Sequence, residues 1–255
     1  MSDITVKQMQ ELQNNNYNVM AEYARPLLLN NVVTSGLDEK EKEYLNILKI
    51  WNLKNDPEEK APVIFNAWWD SLEVLIYADE LHQKSIPVIQ PEPFVLVEGL
   101  LRDSVYKFTD DMNTPAIETL PDMVTAALKK ASVGLKQIES EGKMEWAKFK
   151  NTSINHLLRD ATAPFARKGL MNGGGYGILN ATKTTHGPSW RMVVSLTTPV
   201  TATVVYPGGQ SGNPGSKYYD NFVDAWTVGQ YYDALFLTKQ DVADPKIKWT
   251  MTFKP

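Results

Sequence analysis

The sequence predicts an α+β protein, a helical N-terminal half followed by antiparallel strands, and three observations carry that prediction. Apolar residues recur at helical spacing through residues 1–160. Past Arg159 the Leu/Lys/Glu mixture gives way to β-branched and aromatic residues, and eleven of the fifteen glycines fall at Gly169 or later. Two strand-like runs, Ser189–Leu196 and Thr201–Tyr206, flank Thr197-Thr-Pro-Val200, where proline cannot donate to a central ladder.

Taken in order, Thr5 and Gln8 have capping-box spacing at the start of a first helix. Ile4, Val6, Met9, Leu12, Tyr17, Met20 and Tyr23 continue one apolar stripe toward Leu27–Leu29, with Asn14–Asn16 a weak spot in helix propensity. Gly36 ends that region. Asp38–Glu43 opens a second helix with acid in its first turn, and Tyr44, Leu45, Leu48 and Trp51 form its buried face. A third helix is predicted from Pro62 to Gln83, apolar around so much of its circumference that it is buried on more than one side. Ser85–Pro93, with three prolines, reads as an extended connector. Further helices are predicted over Phe94–Phe108 and Leu120–Ser140, separated by the acidic Thr109–Asn113 linker. Lys143–Arg159 starts as a helix or turn and leads toward the sheet. Gly173–Gly177 reads as a tight turn, and Ile178–Asn180 as the beginning of a strand. The compositional boundary near residue 160 divides a mainly helical segment, 1–160, from a β-rich segment, 161–255, within one cooperative unit.

Composition narrows the chemistry. A chain of 255 residues with a net charge of −4 offers no field to recruit nucleic acid, and no apolar run is long enough to span a bilayer. With no cysteine there is no disulfide, thiolate nucleophile or zinc–cysteine site. Gly173–Gly177 lacks the Gly-Lys-Ser/Thr ending of a phosphate loop. Ser189, Ser195, Ser211 and Ser216 sit in no Gly-x-Ser-x-Gly elbow; the nearest, around Ser211, has Gly209 and Gly212 one residue short of it. His82, His156 and His186 are too scattered for a metal site, and His186 reads as a hydrogen-bonded structural residue at a strand entrance. Asp220 with Asp224, and Asp241 with Asp244, lack the acidic density of a calcium loop. Most Trp and Tyr residues, among them Trp68, Trp69, Trp146, Trp190, Trp226, Tyr218, Tyr219, Tyr231 and Tyr232, read as core. The sequons at Asn151 and Asn180 are incidental. The glycine-rich Pro207–Ser216 fits a structural turn or the wall of a site equally well. On these residues alone no catalytic residue, metal site or cofactor is assigned.

Two long ordered motifs add a resemblance. GPSWRMVV followed by YPGGQSGNPGSKYYDN resembles the C-terminal part of the β chain of the penicillin amidase (penicillin acylase) family. Leu235–Val242 (LFLTKQDV) is similar to that family's ending, and AWWDSL at Ala67–Leu72 fits the same likeness. The resemblance implies strands belonging to an N-terminal-nucleophile (Ntn) hydrolase αββα sandwich, and hydrolysis of linear amides through an acyl-enzyme. It implies a nucleophile upstream of everything matched, so that this chain is a C-terminal fragment, inactive alone. Its partners would be the remainder of the amidase, an α chain and the N-terminal part of the β chain, and a small amide substrate. It also implies a periplasmic or secreted parent, calcium binding whose ligands match no position here, and a Pro207–Ser216 loop near the active-site face. Ser2 would become an N-terminal serine on removal of Met1, but it precedes a helix cap rather than beginning a strand, and reads as a helix lead-in. The competing expectation is a stand-alone, non-catalytic binding or structural module. An uncovered sheet edge with a large exposed apolar patch distinguishes the first reading from the second.

Overall fold

The computed structural model describes residues 3–81, 88–103, 105–156, 158–237 and 243–254. Among these the helices are α1 (Val6–Gln13), α2 (Val19–Asn31), α3 (Glu39–Ile50), α4 (Ala61–Leu81), α5 (Pro93–Arg102), α6 (Leu120–Ser140), α7 (Trp146–Lys150) and α8 (Val223–Thr227). The strands are β1 (Thr152–Ile154), β2 (Arg167–Leu170), β3 (Arg191–Ser195), β4 (Thr201–Val205) and β5 (Tyr232–Ala234). The α+β expectation holds: helices dominate the first part, and both sheets are short and antiparallel. The last long helix, α6, ends at Ser140, ahead of the change in composition near residue 160. By contacts the chain divides differently, into residues 14–187 and a second unit of 1–13 with 188–255.

In the first unit, α4 carries Ile64, Phe65, Trp68, Leu72 and Ile76 fully buried, as its broad apolar circumference predicts. Its main partner is α6, which buries Val124, Ala127, Leu128 and Leu135. The Trp68 indole donates to the Val124 carbonyl at 2.9 Å, giving the one polar atom of that ring a partner in an otherwise apolar seam. Helix α3 starts at a full capping box: Asp38 accepts from the Glu41 amide, and Glu41 reaches back to the Asp38 amide. Truncating a large side chain in this core costs about 2–5 kcal/mol.

Three sequence expectations are corrected. The stripe from Ile4 to Leu29 breaks into α1 and α2, because Asn15 Oδ1 captures the Tyr17 amide and Asn18 caps α2 by accepting from the Ala21 amide. These side chains compete with the backbone for helical hydrogen bonds. The helix predicted over Phe94–Phe108 ends at Arg102, where Asp103 takes the Val105 amide, and a separate 3-10 turn forms at Lys107–Thr109. Ile178–Asn180 is a turn, not a strand: the Asn180 carbonyl accepts from the Gly175 amide and its own amide donates to Asn15. The expected end of α4 at Gln83 and the first part of the Ser85–Pro93 connector lie outside the described residues.

The second unit is a three-stranded sheet, order β3-β4-β5, with two helices. Register pairs Met192 with Val204 and Val204 with Tyr232 on one face, and Val193 with Thr203 on the other. Helix α1 packs on the Val193 face, where Gln10 donates to the Thr203 hydroxyl and Tyr231 to Gln13. The Arg191 guanidinium, on the same face, donates to the Trp226 carbonyl of α8 at 2.9 Å and lies over its ring. Both helices therefore serve one face of the sheet.

Candidate functional site

Among the described residues no helix covers the other face of that sheet. Side chains alternate along β3, so Met192 and Val194 point away from Val193, and Trp190, Met192, Val194 and Leu196 form an apolar row 40% to 89% exposed. Tyr206, Phe222 and Tyr232 extend it as a ladder of rings. Trp190 stacks on Tyr206 at 5.6 Å, Tyr206 meets Phe222 edge-on at 4.9 Å, and Phe222 lies 4.8 Å from Tyr232. Together with Ser189, Gln210 and Leu235 these residues line a groove of about 640 Å³. The expectation that most aromatics are core holds for Trp68, Trp69, Trp146 and Trp226, but not for Trp190, Tyr218 and Tyr232, which are exposed.

The glycine-rich loop beside this groove is held by its own backbone. The Ser211 amide donates to Tyr218 O, Ser211 Oγ accepts from the Asn213 amide, and Ser216 Oγ accepts from the Tyr218 amide. Gly209 is required, since a Cβ there would fall 2.0 Å from Tyr218 O. Ser211 and Ser216 thus work as turn residues, while Gln210 reaches the groove. Ser195 lies within 3.4 Å of the Thr197 hydroxyl on the surface. Ser2 and His82 lie outside the described residues, as do Asp241 and the 238–242 part of the LFLTKQDV motif. His156 accepts from the Leu158 amide and meets the Thr162 hydroxyl at 2.9 Å. His186 is exposed against Thr185. Among the described residues no three His, Asp or Glu side chains are grouped so as to hold a metal ion.

A second, buried polar node in the helical unit was missed by sequence reasoning. Lys150, 6% exposed, donates to the carbonyls of Gly173 and Thr182 and to the Thr182 hydroxyl. Trp146, one turn earlier on α7, donates from its indole to the Gly174 carbonyl at 2.7 Å. Asn16, Asn55 and Asn180 close the other side: Asn55 O accepts from the Gly174 amide, and Asn180 Nδ2 donates to Asn16 Oδ1. Burial pushes the Lys150 amine down to about 7. The available signal was the pairing of Trp146 and Lys150 at helical spacing, ahead of the glycine cluster. The node pins the 173–182 loop. Its members Lys150, Trp146, Asn55 and Thr182 are all buried.

The model of the family described as penicillin amidase matches residues 1–243. The chain belongs to the penicillin amidase family. An acyl-homoserine lactone acylase, QuiP, of Pseudomonas syringae pv. tomato is 34% identical over 140 residues, covering 49% of this penicillin amidase-family chain and 17% of its own length. The QuiP acylase of Pseudomonas putida is 26% identical over 220 residues, 77% of this chain and 26% of that protein. The chain therefore spans only a small part of the length of these curated relatives. A thermostable penicillin G acylase from Alcaligenes faecalis superposes with a TM-score of 0.51 at 15% identity, over 98% of this chain and 49% of the acylase chain, which shows a shared Ntn-hydrolase fold.

Proposed function

We propose that this chain is the C-terminal part of an N-terminal-nucleophile amidase that hydrolyses linear amides through an acyl-enzyme. The match to the penicillin amidase family across residues 1–243 carries the reading. The nucleophile, on this reading, is the first residue of a β chain and belongs to the remainder of the enzyme. This chain contributes scaffold helices, strands of the αββα sandwich and one wall of the acyl-binding cleft, the aromatic groove beside the Pro207–Ser216 loop. The open apolar sheet face supports a partial enzyme, because a sheet with helices on one face only leaves the other to be covered. The relatives' activity on acyl-homoserine lactones supports an acyl amide as substrate class. The parent enzyme acts in the periplasm or outside the cell.

The test is hydrolysis of a phenylacetyl anilide and of an acyl-homoserine lactone by the purified chain, alone and with the remainder of the amidase supplied. Turnover only on reconstitution is the expected result. Turnover by the chain alone, abolished in Ser2→Ala, would make Ser2 the nucleophile and overturn the division of labour. An assembled but inactive complex would overturn the hydrolase reading in favour of a non-catalytic module.

A further inference from the structure

The three-stranded sheet treats its two edges differently. On β3 the outer edge is engaged: Gln13 Nε2, at the end of α1, donates to the Met192 carbonyl at 3.1 Å. That bond also sets the phase of the ladder. In an antiparallel pair, opposed residues alternate between those whose main-chain groups bond to each other and those whose groups point away. The Met192 carbonyl faces Gln13, so the Met192–Val204 pair is of the second kind, and Val204 turns its amide and carbonyl toward Tyr232. One residue along, Thr203 bonds to Val193, and the opposed Asp233 directs its amide and carbonyl out of the sheet.

That edge of β5 is bare. Among the described residues no strand lies beyond β5, and no main-chain bond reaches Asp233 or Leu235 from that side. The run that continues the strand, Leu235-Phe236-Leu237, is 53%, 66% and 44% exposed. A bare apolar strand edge is a template for another strand, and proteins block such edges where no partner is meant. Here the β3 edge carries a side-chain block and the β5 edge does not. Asp233, exposed and the only charged residue of β5, restricts what can pair with it. Its carboxylate repels an acidic residue directly opposite and favours a basic one.

We propose that the bare edge of β5 accepts an extended segment of the remainder of the amidase as a fourth strand, with Lys or Arg opposite Asp233 and apolar residues on either side of it. This rests on the reading of the chain as the C-terminal part of a longer enzyme. The chain spans only a small part of the length of its curated relatives, which leaves ample sequence to supply a strand. Tyr232 to Leu235 also line the aromatic groove, so an added strand continues the apolar sheet face instead of starting a separate contact.

Hydrogen–deuterium exchange resolved to single amides over 231–237, in the free chain and after assembly with the remainder, tests it. The outward Asp233 and Leu235 amides are expected to exchange freely in the chain alone and about tenfold more slowly in the complex, whereas the inward Tyr232 and Ala234 amides change less. Asp233→Pro removes an outward donor and no bond to β4, and should weaken capture of the remainder about tenfold. Asp233→Lys keeps the donor but sets like charges opposite each other, and should weaken capture about fivefold. Assembly without slowing at Asp233 and Leu235 overturns the added strand and leaves the amidase reading in place. Protection in the chain alone that grows with its concentration overturns it in favour of a second copy at this edge. A chain that captures no remainder overturns the amidase reading and this inference with it.

Discussion

Gly174 and Lys150 determine how the glycine cluster is used. Gly174 has φ +76°, and a Cβ there would lie 1.9 Å from the Asn180 carbonyl oxygen. Gly174→Ala is expected to lower unfolding free energy by about 3 kcal/mol in urea denaturation followed by tryptophan fluorescence, combining a left-handed backbone with a clash against main chain. Lys150 predicts a pH effect of definite sign. Its folded value lies near 7, below the ordinary lysine value, so between the two the unfolded chain binds the extra proton. The desolvation penalty is complete below pH 7 and fades as pH rises, so stability increases through that window, by up to about 1.4 kcal/mol per pH unit. Lys150→Met should remove this increase, seen as a flatter midpoint-versus-pH curve from pH 7 to pH 10. Neither role was legible in the sequence. A glycine run advertises a turn but not the atom it must approach, and a lysine reads as a surface residue until the carbonyls around it are known.

At the scale of the elements, periodicity located α3, α4, α6, β3 and β4 closely, because their apolar positions face a real core. It failed where side chains claim backbone hydrogen bonds: Asn15 and Asn18 divide the first stripe, and Asp103 ends α5. The apolar, β-branched run Ser189–Leu196 was legible as a strand and read as a buried one, yet only its Val193 face is covered, and apolar residues on both faces gave no indication of which face that would be. The structure decides this through α1 and α8. Val193→Ala, on the covered face, is expected to cost about 1–2 kcal/mol in thermal or urea unfolding, whereas Met192→Ala, on the open face, should cost about 0.5 kcal/mol or less. If the proposed division of the enzyme holds, the order of effects changes on assembly, with Met192→Asp weakening capture of the remainder while the chain by itself stays folded.

For the molecule as a whole, the family was legible from two ordered motifs, and the match over residues 1–243 bears it out. The groove was legible only in part. The loop Pro207–Ser216 marked its neighbourhood, but the rings of Trp190, Tyr206, Phe222 and Tyr232 come from four separated positions that only the sheet register and the bond from the Phe222 amide to the Gly208 carbonyl bring together. The central claim is that the open face is an interface to the rest of the amidase. Hydroxyl-radical footprinting of Trp190, Met192 and Tyr232, in the chain alone and after assembly with the remainder, tests it directly. Strong labelling of all three in the free chain, falling severalfold on assembly while exposed Met112 in the other unit stays labelled, is the predicted result. Equal labelling of the three in both states would contradict the account.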